Sequence, residues 1–343
     1  MIQQSKLLIE LSDLEKIDVK KMYKIYDKWP ELAHAAYEFK QKQIKFSKID
    51  HIVFAGMGGS GTIGDIFSAI FSNTDIHVTN VKGYILPKTV DSKTLVITTS
   101  VSGNTQETLT VLKSASNTDC QIIAFSSGGE MEEFCLEKNI EFIKIEKIHS
   151  PRASLVNFLY SILKILEPIL SINSIDIKNS INEMKKLRNQ ISSDNLDENN
   201  ESLNLAKWIV GIPLIYYPHG LQAAAIRFKN NLQENSKIHA ITEDVVEACH
   251  NGVVAWEKVS NVQPILIRGT DDYYKTKERW AILKEYFDEK QIKYEEIISV
   301  EGNILSKIIN LIYLLDYSTI YHAVILKNDP SPVNSINFIK SKL

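Results

Sequence analysis

A chain of 343 residues, 44% apolar and 24% charged, is long enough for two medium domains or one large α/β unit, and its composition is that of an ordinary globular protein. A net charge of −3 offers no broad basic surface and argues against a nucleic-acid partner. Met1 to Lys21 mixes acids and bases with no signal-peptide core, and the most apolar stretch, Ala153 to Ile172, carries Lys164, Glu167 and Pro168, which points to a core helix and away from a membrane span. Cys120, Cys135 and Cys249 form an odd set without metal-like spacing, as expected of packing residues in a reducing cytoplasm.

The first half alternates strand and helix signals. Strands are predicted at His51–Ala55, Ile76–Thr79, Leu95–Thr99, Gln121–Phe125 and Phe142–Ile145, with helices at Ile63–Phe71 and Gln106–Ala115 among the connections. Continuous apolar strands separated by helices predict a parallel sheet covered on both faces. Ligands of such sheets bind outside the carboxyl ends of the strands.

Two turns leave strands at such ends. Gly56-Met-Gly-Gly-Ser-Gly61 follows the first strand, and Ser100-Val-Ser-Gly-Asn-Thr105 follows the third. Hydroxyls and backbone N–H groups converging at a helix start, with the helix dipole behind them, make an anion cradle. The absence of Lys and Arg from both turns argues for a small phosphomonoester over a nucleotide. Gly56, Gly58 and Gly61 formally satisfy G-x-G-x-x-G, but the next strand ends in Asn80-Val81-Lys82. A ribose-binding acid is missing there, so no dinucleotide cofactor is expected.

Two helices, Ser154–Leu170 and Asp176–Ile191, precede a polar run from Ser192 to Glu201 that is expected to be an exposed connection. A second alternating unit then begins. Strands are predicted at Pro213–Tyr217, Ile238–Ile241, Pro264–Arg268 and Tyr294–Ser299, with helices at Leu221–Leu232, Tyr273–Glu289 and Asn303–Leu326. The division is thus 1–152 for an N-terminal domain carrying the phosphate loops, 153–202 for linking helices, and 203–343 for a weaker copy without the Gly-rich fingerprint. Within that copy Glu234 falls at a helix end, where the dipole disfavours an anion. It is a candidate base, against the plainer role of a surface Glu paired with Lys237. His250-Asn251 follows sixteen residues later, His239 is expected to pack in a strand, and no His pair has metal-ligand spacing.

In order, Gly56-Met-Gly-Gly-Ser-Gly61, Ser100-x-Ser-Gly-Asn-Thr105, Pro151-Arg152-Ala153, Glu234-Asn-x-Lys237-Ile-His-Ala240, His250-Asn251 and Asp329-Pro-Ser-Pro-Val333 with Ile339-Lys340 resemble the bifunctional phosphoglucose/phosphomannose isomerases. The resemblance runs from about residue 20 to the end. It implies two SIS-type (sugar-isomerase, flavodoxin-like) doubly wound parallel-sheet α/β domains linked by helices. The implied activity interconverts fructose 6-phosphate with glucose 6-phosphate and mannose 6-phosphate, without a metal or other cofactor. Gly59, Ser60, Ser100, Ser102 and Thr105 would hold the sugar phosphate, and Glu234 would move a proton between C1 and C2. Arg152 would stabilise the enediolate, His250 would open the ring from the neighbouring subunit of a homodimer, and Lys340 would assist at the ring oxygen. The chain departs from the family at Val101, where an aromatic is frequent, and at Cys249 and Gly252, where polar or acidic residues are commoner.

The chemistry agrees with these residue types. Isomerisation needs an open-chain sugar, one base that can return its proton, and a cation facing the enediolate. Two other classes compete. An amino-sugar phosphate isomerase joined to a glutamine amidotransferase would carry a Cys nucleophile near its start, and Cys120 is the first here. A sugar-phosphate sensor controlling transcription would add a helix-turn-helix and a basic surface.

Overall fold

The computed structural model describes residues 9–342. The short helices α1 (Leu11–Ile17), α2 (Met22–Asp27) and α3 (Trp29–Glu38) precede the first sheet. Then follow β1 (His51–Ala55), α4 (Gly59–Phe71), β2 (His77–Val81), β3 (Thr94–Ser100), α5 (Gln106–Ala115), β4 (Gln121–Ser126), α6 (Glu130–Lys138) and β5 (Glu141–Lys144). Helices α7 (Leu155–Leu166), α8 (Ser174–Ile191) and α9 (Glu201–Trp208) lead to β6 (Ile212–Tyr217) and α10 (Gln222–Asn231). The remainder is β7 (Ile241–Asp244), α11 (Val245–Ala248), β8 (Val262–Arg268), α12 (Tyr274–Glu289), β9 (Glu295–Ile298), α13 (Ile304–Ile325) and α14 (Asn334–Lys340).

Both sheets are wholly parallel. The first has the order β2-β1-β3-β4-β5 and the second β7-β6-β8-β9, so the second repeats the winding of the first without its fifth strand. Every residue of β1 and β3 is buried, as a sheet covered on two faces requires. Alternation along β1 shows the two faces. Val53 and Ala55 pack with Val111 and Ala115 of α5, while Phe54 stacks on Phe67 of α4 with ring centroids 4.8 Å apart. Gly64 lets α4 lie close, since a Cβ there would fall 2.9 Å from Phe54 Cβ. The second core gathers Tyr216, Trp256, Trp280 and Phe287, and Trp256 Nε1 donates to the Tyr216 hydroxyl at 2.8 Å, which satisfies the one polar group that buries with the indole.

The chain forms two compact units. Of the described residues, one comprises Lys28–Asn182 with Asn303–Leu305; the other comprises 9–27, Glu183–Gly302 and 306–342. The spatial division therefore differs from the division by sequence at 152 and 203. Tyrosine hydroxyls explain the place of α2: Tyr313 donates to Tyr26 O at 2.7 Å, Tyr317 to Tyr23 O at 3.1 Å, and Tyr26 to Asp316 at 3.1 Å. Fixed in this way, α2 joins α13 and not the first sheet.

Local differences from the sequence expectations have physical causes. The predicted strand Ile238–Ile241 lies three residues further on as β7, an edge strand of mixed polarity that apolar patterning does not mark. His239 is accordingly an exposed connecting residue. The polar run after α8 is not uniformly exposed, since Ser192, Ser193 and Asn200 are buried. The Asn200 side chain accepts from Leu203 N at 2.9 Å and donates to Asn195 O at 2.6 Å, capping α9. The stretch Ala153 to Ile172 contains α7, which is buried, as expected. The helix predicted at Asn303–Leu326 forms as α13; its length and composition suffice to cross a membrane, but 94% of its apolar window is buried within the protein.

One buried group in α13 makes stability depend on pH. His322 is 3% exposed, its Nε2 donates to Ile209 O at 3.2 Å, and Nδ1 has no hydrogen-bond partner among the described residues. A second proton would put charge into a site with no acceptor for it, and burial lowers the imidazole pKa to about 4. The unfolded imidazole titrates near ~6.5, so as pH falls below that value the unfolded chain binds a proton that the folded chain refuses. Stability is expected to fall between pH ~6.5 and ~4, by roughly 3 kcal/mol at full extent. His322→Gln should flatten the acid limb of urea-unfolding midpoints measured from pH 7 to 4.5, and an unchanged slope would assign the acid sensitivity to other groups.

Candidate functional site

The parallel register brings the two glycine and hydroxyl turns to one edge of the first sheet. Ala55, the last residue of β1, lies opposite Thr98 of β3, so the β1–α4 and β3–α5 turns leave side by side. They approach so closely that a Cβ on Gly56 would sit 3.0 Å from both Thr99 O and Ser60 Cβ. Helix α4 begins at Gly59, four residues before the start predicted from its apolar residues. Gly58 supplies the turn with φ +54°, a conformation that side-chain-bearing residues avoid. Gly59 and Ser60 thus form the first turn of α4, where N–H groups and the positive dipole end favour an anion.

Ser100, Ser102 and Thr105 stand around the second turn. The hydroxyls of Ser100 and Thr105 are 2.8 Å apart, and Ser100 Oγ accepts from Gly103 N at 3.1 Å. Ser102 is exposed and its Oγ accepts from Asn104 N at 3.3 Å. Thr105 occupies the cap position of α5 without making a side-chain cap bond. Its hydroxyl serves Ser100 instead. Asn104 has a structural duty: its Oδ1 accepts from Glu130 N at 2.9 Å at the start of α6.

Arg152 belongs to the same unit. It precedes α7 and is 5% exposed. Its loop is held by Ser154, whose Oγ donates to Ile148 O at 2.8 Å and to Ser150 O at 2.9 Å, and by Trp29 Nε1 donating to Ala153 O at 3.0 Å. The constrained loop holds the guanidinium, a planar fork of N–H donors, in one place. Opposite the dinucleotide fingerprint, Asn80 and Lys82 both turn to Asp65 of α4, at 3.2 and 2.5 Å. The end of β2 is thus occupied by a basic residue and its partner.

Glu234, His250 and Lys340 lie in the other unit. Glu234 is half-buried and sits in a π-helical turn, Leu232–Ser236, that continues α10; such turns recur at functional sites. The turn is pinned to α13 by Asn235 Nδ2 donating to Thr319 Oγ1 at 2.8 Å and Ser236 Oγ donating to Thr319 O at 3.0 Å. Two turns before Glu234, the buried Arg227 binds Asp316 through Nε at 2.9 Å and Nη2 at 2.6 Å, and Asn231 Nδ2 donates to the same carboxylate at 2.7 Å. Burial alone would push the Arg227 guanidinium down. The Asp316 carboxylate, through its charge and its hydrogen bonds, more than offsets this and, with a smaller contribution from the Glu234 carboxylate, holds it above its ordinary value.

His250 is exposed just after α11, its N–H bonded to Glu247 O at 2.9 Å, and the Asn251 amide donates to Glu247 Oε1 at 2.8 Å. Lys340 ends α14 and is exposed, beside the exposed Phe338 and Ile339. Among the described residues no three His, Cys, Asp or Glu side chains converge as a metal site would need. The sequence offers Lys237 as a member of the Glu234-Asn-x-Lys237 run and as an ion-pair partner for Glu234. Its ammonium in fact donates to main-chain carbonyls, those of Glu234 at 2.5 Å and Pro332 at 2.9 Å among them.

Two parallel sheets wound in the same order, the first with hydroxyl and glycine turns at neighbouring carboxyl ends, define a chain of the SIS type. The SIS domain family model matches residues 45–167, and the model for the bacterial phospho-glucose isomerase C-terminal SIS domain matches residues 198–343. The bifunctional phosphoglucose/phosphomannose isomerase of Caldicellulosiruptor bescii is 32% identical, over 92% of this chain and 96% of that protein. That of Aquifex aeolicus is 31% identical, over 85% and 90%. The C-terminal domain of glucosamine-fructose-6-phosphate aminotransferase from Francisella tularensis shares the fold, with a TM-score of 0.68 at 17% identity over 91% of this chain and 97% of that one. The chain belongs to the bifunctional phosphoglucose/phosphomannose isomerase family and is an isomerase.

Proposed function

We propose that the protein catalyses the reversible, metal-independent isomerisation of glucose 6-phosphate and mannose 6-phosphate with fructose 6-phosphate through an enediolate. The observation that carries this reading is the pairing, in one chain, of the two-turn hydroxyl cradle with a Glu held in a π-turn. Gly59, Ser60, Ser100, Ser102 and Thr105 hold the phosphate by hydroxyls, N–H groups and two helix dipoles. Glu234 takes the C2 proton of an open-chain aldose and returns it to C1, and the reverse for the ketose. Arg152 faces the negative charge that develops on the oxygens at C1 and C2. His250, supplied by the second subunit of a homodimer, opens the ring, and Lys340 assists at the ring oxygen. The three cysteines are unpaired, in keeping with the cytoplasmic location we propose.

The test supplies fructose 6-phosphate to the purified protein in excess EDTA and quantifies both aldose 6-phosphates separately. Both products are expected. Glucose 6-phosphate alone would refute activity on mannose 6-phosphate and leave the enediolate route. Neither product, from folded protein, would overturn the reading in favour of an amino-sugar phosphate or a sensor.

A further inference from the structure

We propose that Lys237 is a positioning residue for the reaction: its ammonium gathers the main-chain carbonyls of Glu234, Pro330 and Pro332, and so fixes the turn carrying the base against the segment that leads into α14. The inference rests on Glu234 being the base.

The geometry is specific. Lys237 Nζ lies 2.5 Å from Glu234 O, 2.9 Å from Pro332 O and 3.4 Å from Pro330 O. An ammonium has three N–H donors and no acceptor, so three carbonyls match its capacity. Lys237 is exposed, and an exposed Lys ordinarily extends its flexible stem into water. Here the stem folds back onto backbone. Its own backbone closes the π-turn at φ +61°, a left-handed conformation that is unfavourable for a residue with a side chain. Such strain persists where surrounding structure demands it and is a pointer to function.

The acceptors are prepared for this role. Proline rings fix φ at residues 330 and 332, which removes one of the two soft backbone dihedrals at each of these acceptors. Ser331 N donates to Asp329 Oδ1 at 2.9 Å, which sets the bend between the two prolines. The inner side of the π-turn is already tied to Thr319 by Asn235 and Ser236. Removing the ammonium therefore releases only the outer side, the side that carries Glu234, while the turn remains attached to the core. Misplacement of a reacting group by about 1 Å can cost ~10²-fold in rate. The phosphate cradle belongs to other elements and is unaffected, so the effect falls on kcat and not on KM.

The experiment measures kcat and KM for fructose 6-phosphate, with thermal midpoints, in the full-length wild type and in Lys237→Met, Lys237→Arg and Glu234→Gln. Lys237→Met keeps the stem and loses the donors, so kcat should fall about 10–100-fold, with KM within threefold. Lys237→Arg restores charge and some donors in a planar fork and should recover part of that loss. Wild-type kcat in Lys237→Met overturns the proposal, as does a loss confined to KM or one that vanishes after correction for the folded fraction. Inactivity of Glu234→Gln beside wild-type turnover of Lys237→Met would refute the positioning role alone. Wild-type turnover of Glu234→Gln would refute the base assignment itself.

Discussion

Glu234→Gln is expected to lower isomerase turnover by about 10²–10⁴-fold, the range that a positioned general base contributes. Binding of fructose 6-phosphate should stay within a few-fold of wild type. The amide is nearly isosteric with the carboxylate, so the π-turn and its bonds from Asn235 and Ser236 to α13 have no reason to change. What disappears is the group that we propose accepts a proton from carbon and gives it back. Steady-state assays with calorimetric titration of fructose 6-phosphate separate the two effects. Full turnover would remove Glu234 from the mechanism, and lost binding with an unchanged kcat would make it a substrate-holding group.

The same variant tests the shared site. If His250 comes from the second subunit, mixing Glu234→Gln with His250→Ala chains creates a heterodimer with one intact site. That site has Glu234 from the His250→Ala chain and His250 from the Glu234→Gln chain. If both residues act within one chain, every site in the mixture lacks one of them. Recovery of activity on mixing two inactive variants, after denaturation and joint refolding, is the expected result. Persistent inactivity of refolded, dimeric mixtures would refute the exchange of His250.

Much of this architecture was legible because strong local signals coincide with it. β1 and the helix Gln106–Ala115 occur where patterning puts them, since fully buried strands and amphipathic helices obey simple periodicities. The two glycine and hydroxyl turns were legible for a different reason: their residue types and their places after strands stand in the sequence itself, and the register sets them side by side. What escaped was set by distant partners. β7 is half-exposed and polar, so no apolar pattern marks it. Asn200 looks like a linker residue until its bonds to Ile191, Asn195 and Leu203 bury it. The role of Lys237 depends on carbonyls more than ninety residues away, and a nearby acid was the only partner that sequence could suggest. The placement of α2 with α13 likewise rests on tyrosine hydroxyls reaching across nearly 300 positions.

Gly103→Ala should be the most damaging small substitution in the proposed phosphate cradle. Gly103 has φ +73°, and a Cβ there would lie 1.7 Å from Gly128 O and 2.7 Å from Ser126 Oγ. The obstacle is backbone and cannot rotate aside. Gly128 is moreover held in place by Ser126, whose Oγ donates to Gly128 O at 2.6 Å and accepts from Gly128 N at 3.0 Å. Relief of the clash must therefore break these bonds or displace Gly103, whose N–H binds Ser100 Oγ and whose carbonyl accepts from Met131 N. Either shift moves the hydroxyls that we propose hold the phosphate. Left-handed backbone costs an alanine about 1–2 kcal/mol and overpacking a further 1–3 kcal/mol. The sum, about 2–5 kcal/mol, corresponds to a fall in thermal midpoint of roughly 10 °C for a domain of this size. Gly83→Ala provides the contrast, because Gly83 has no atom within 4 Å of the added carbon and no positive φ. It should be neutral or stabilise by about 0.4–1 kcal/mol through the unfolded chain. Thermal unfolding of both variants, with KM for fructose 6-phosphate, checks the argument. A Gly103→Ala protein with wild-type midpoint and KM would show that the turn is free to reshape, and that the hydroxyl cradle does not depend on the geometry described.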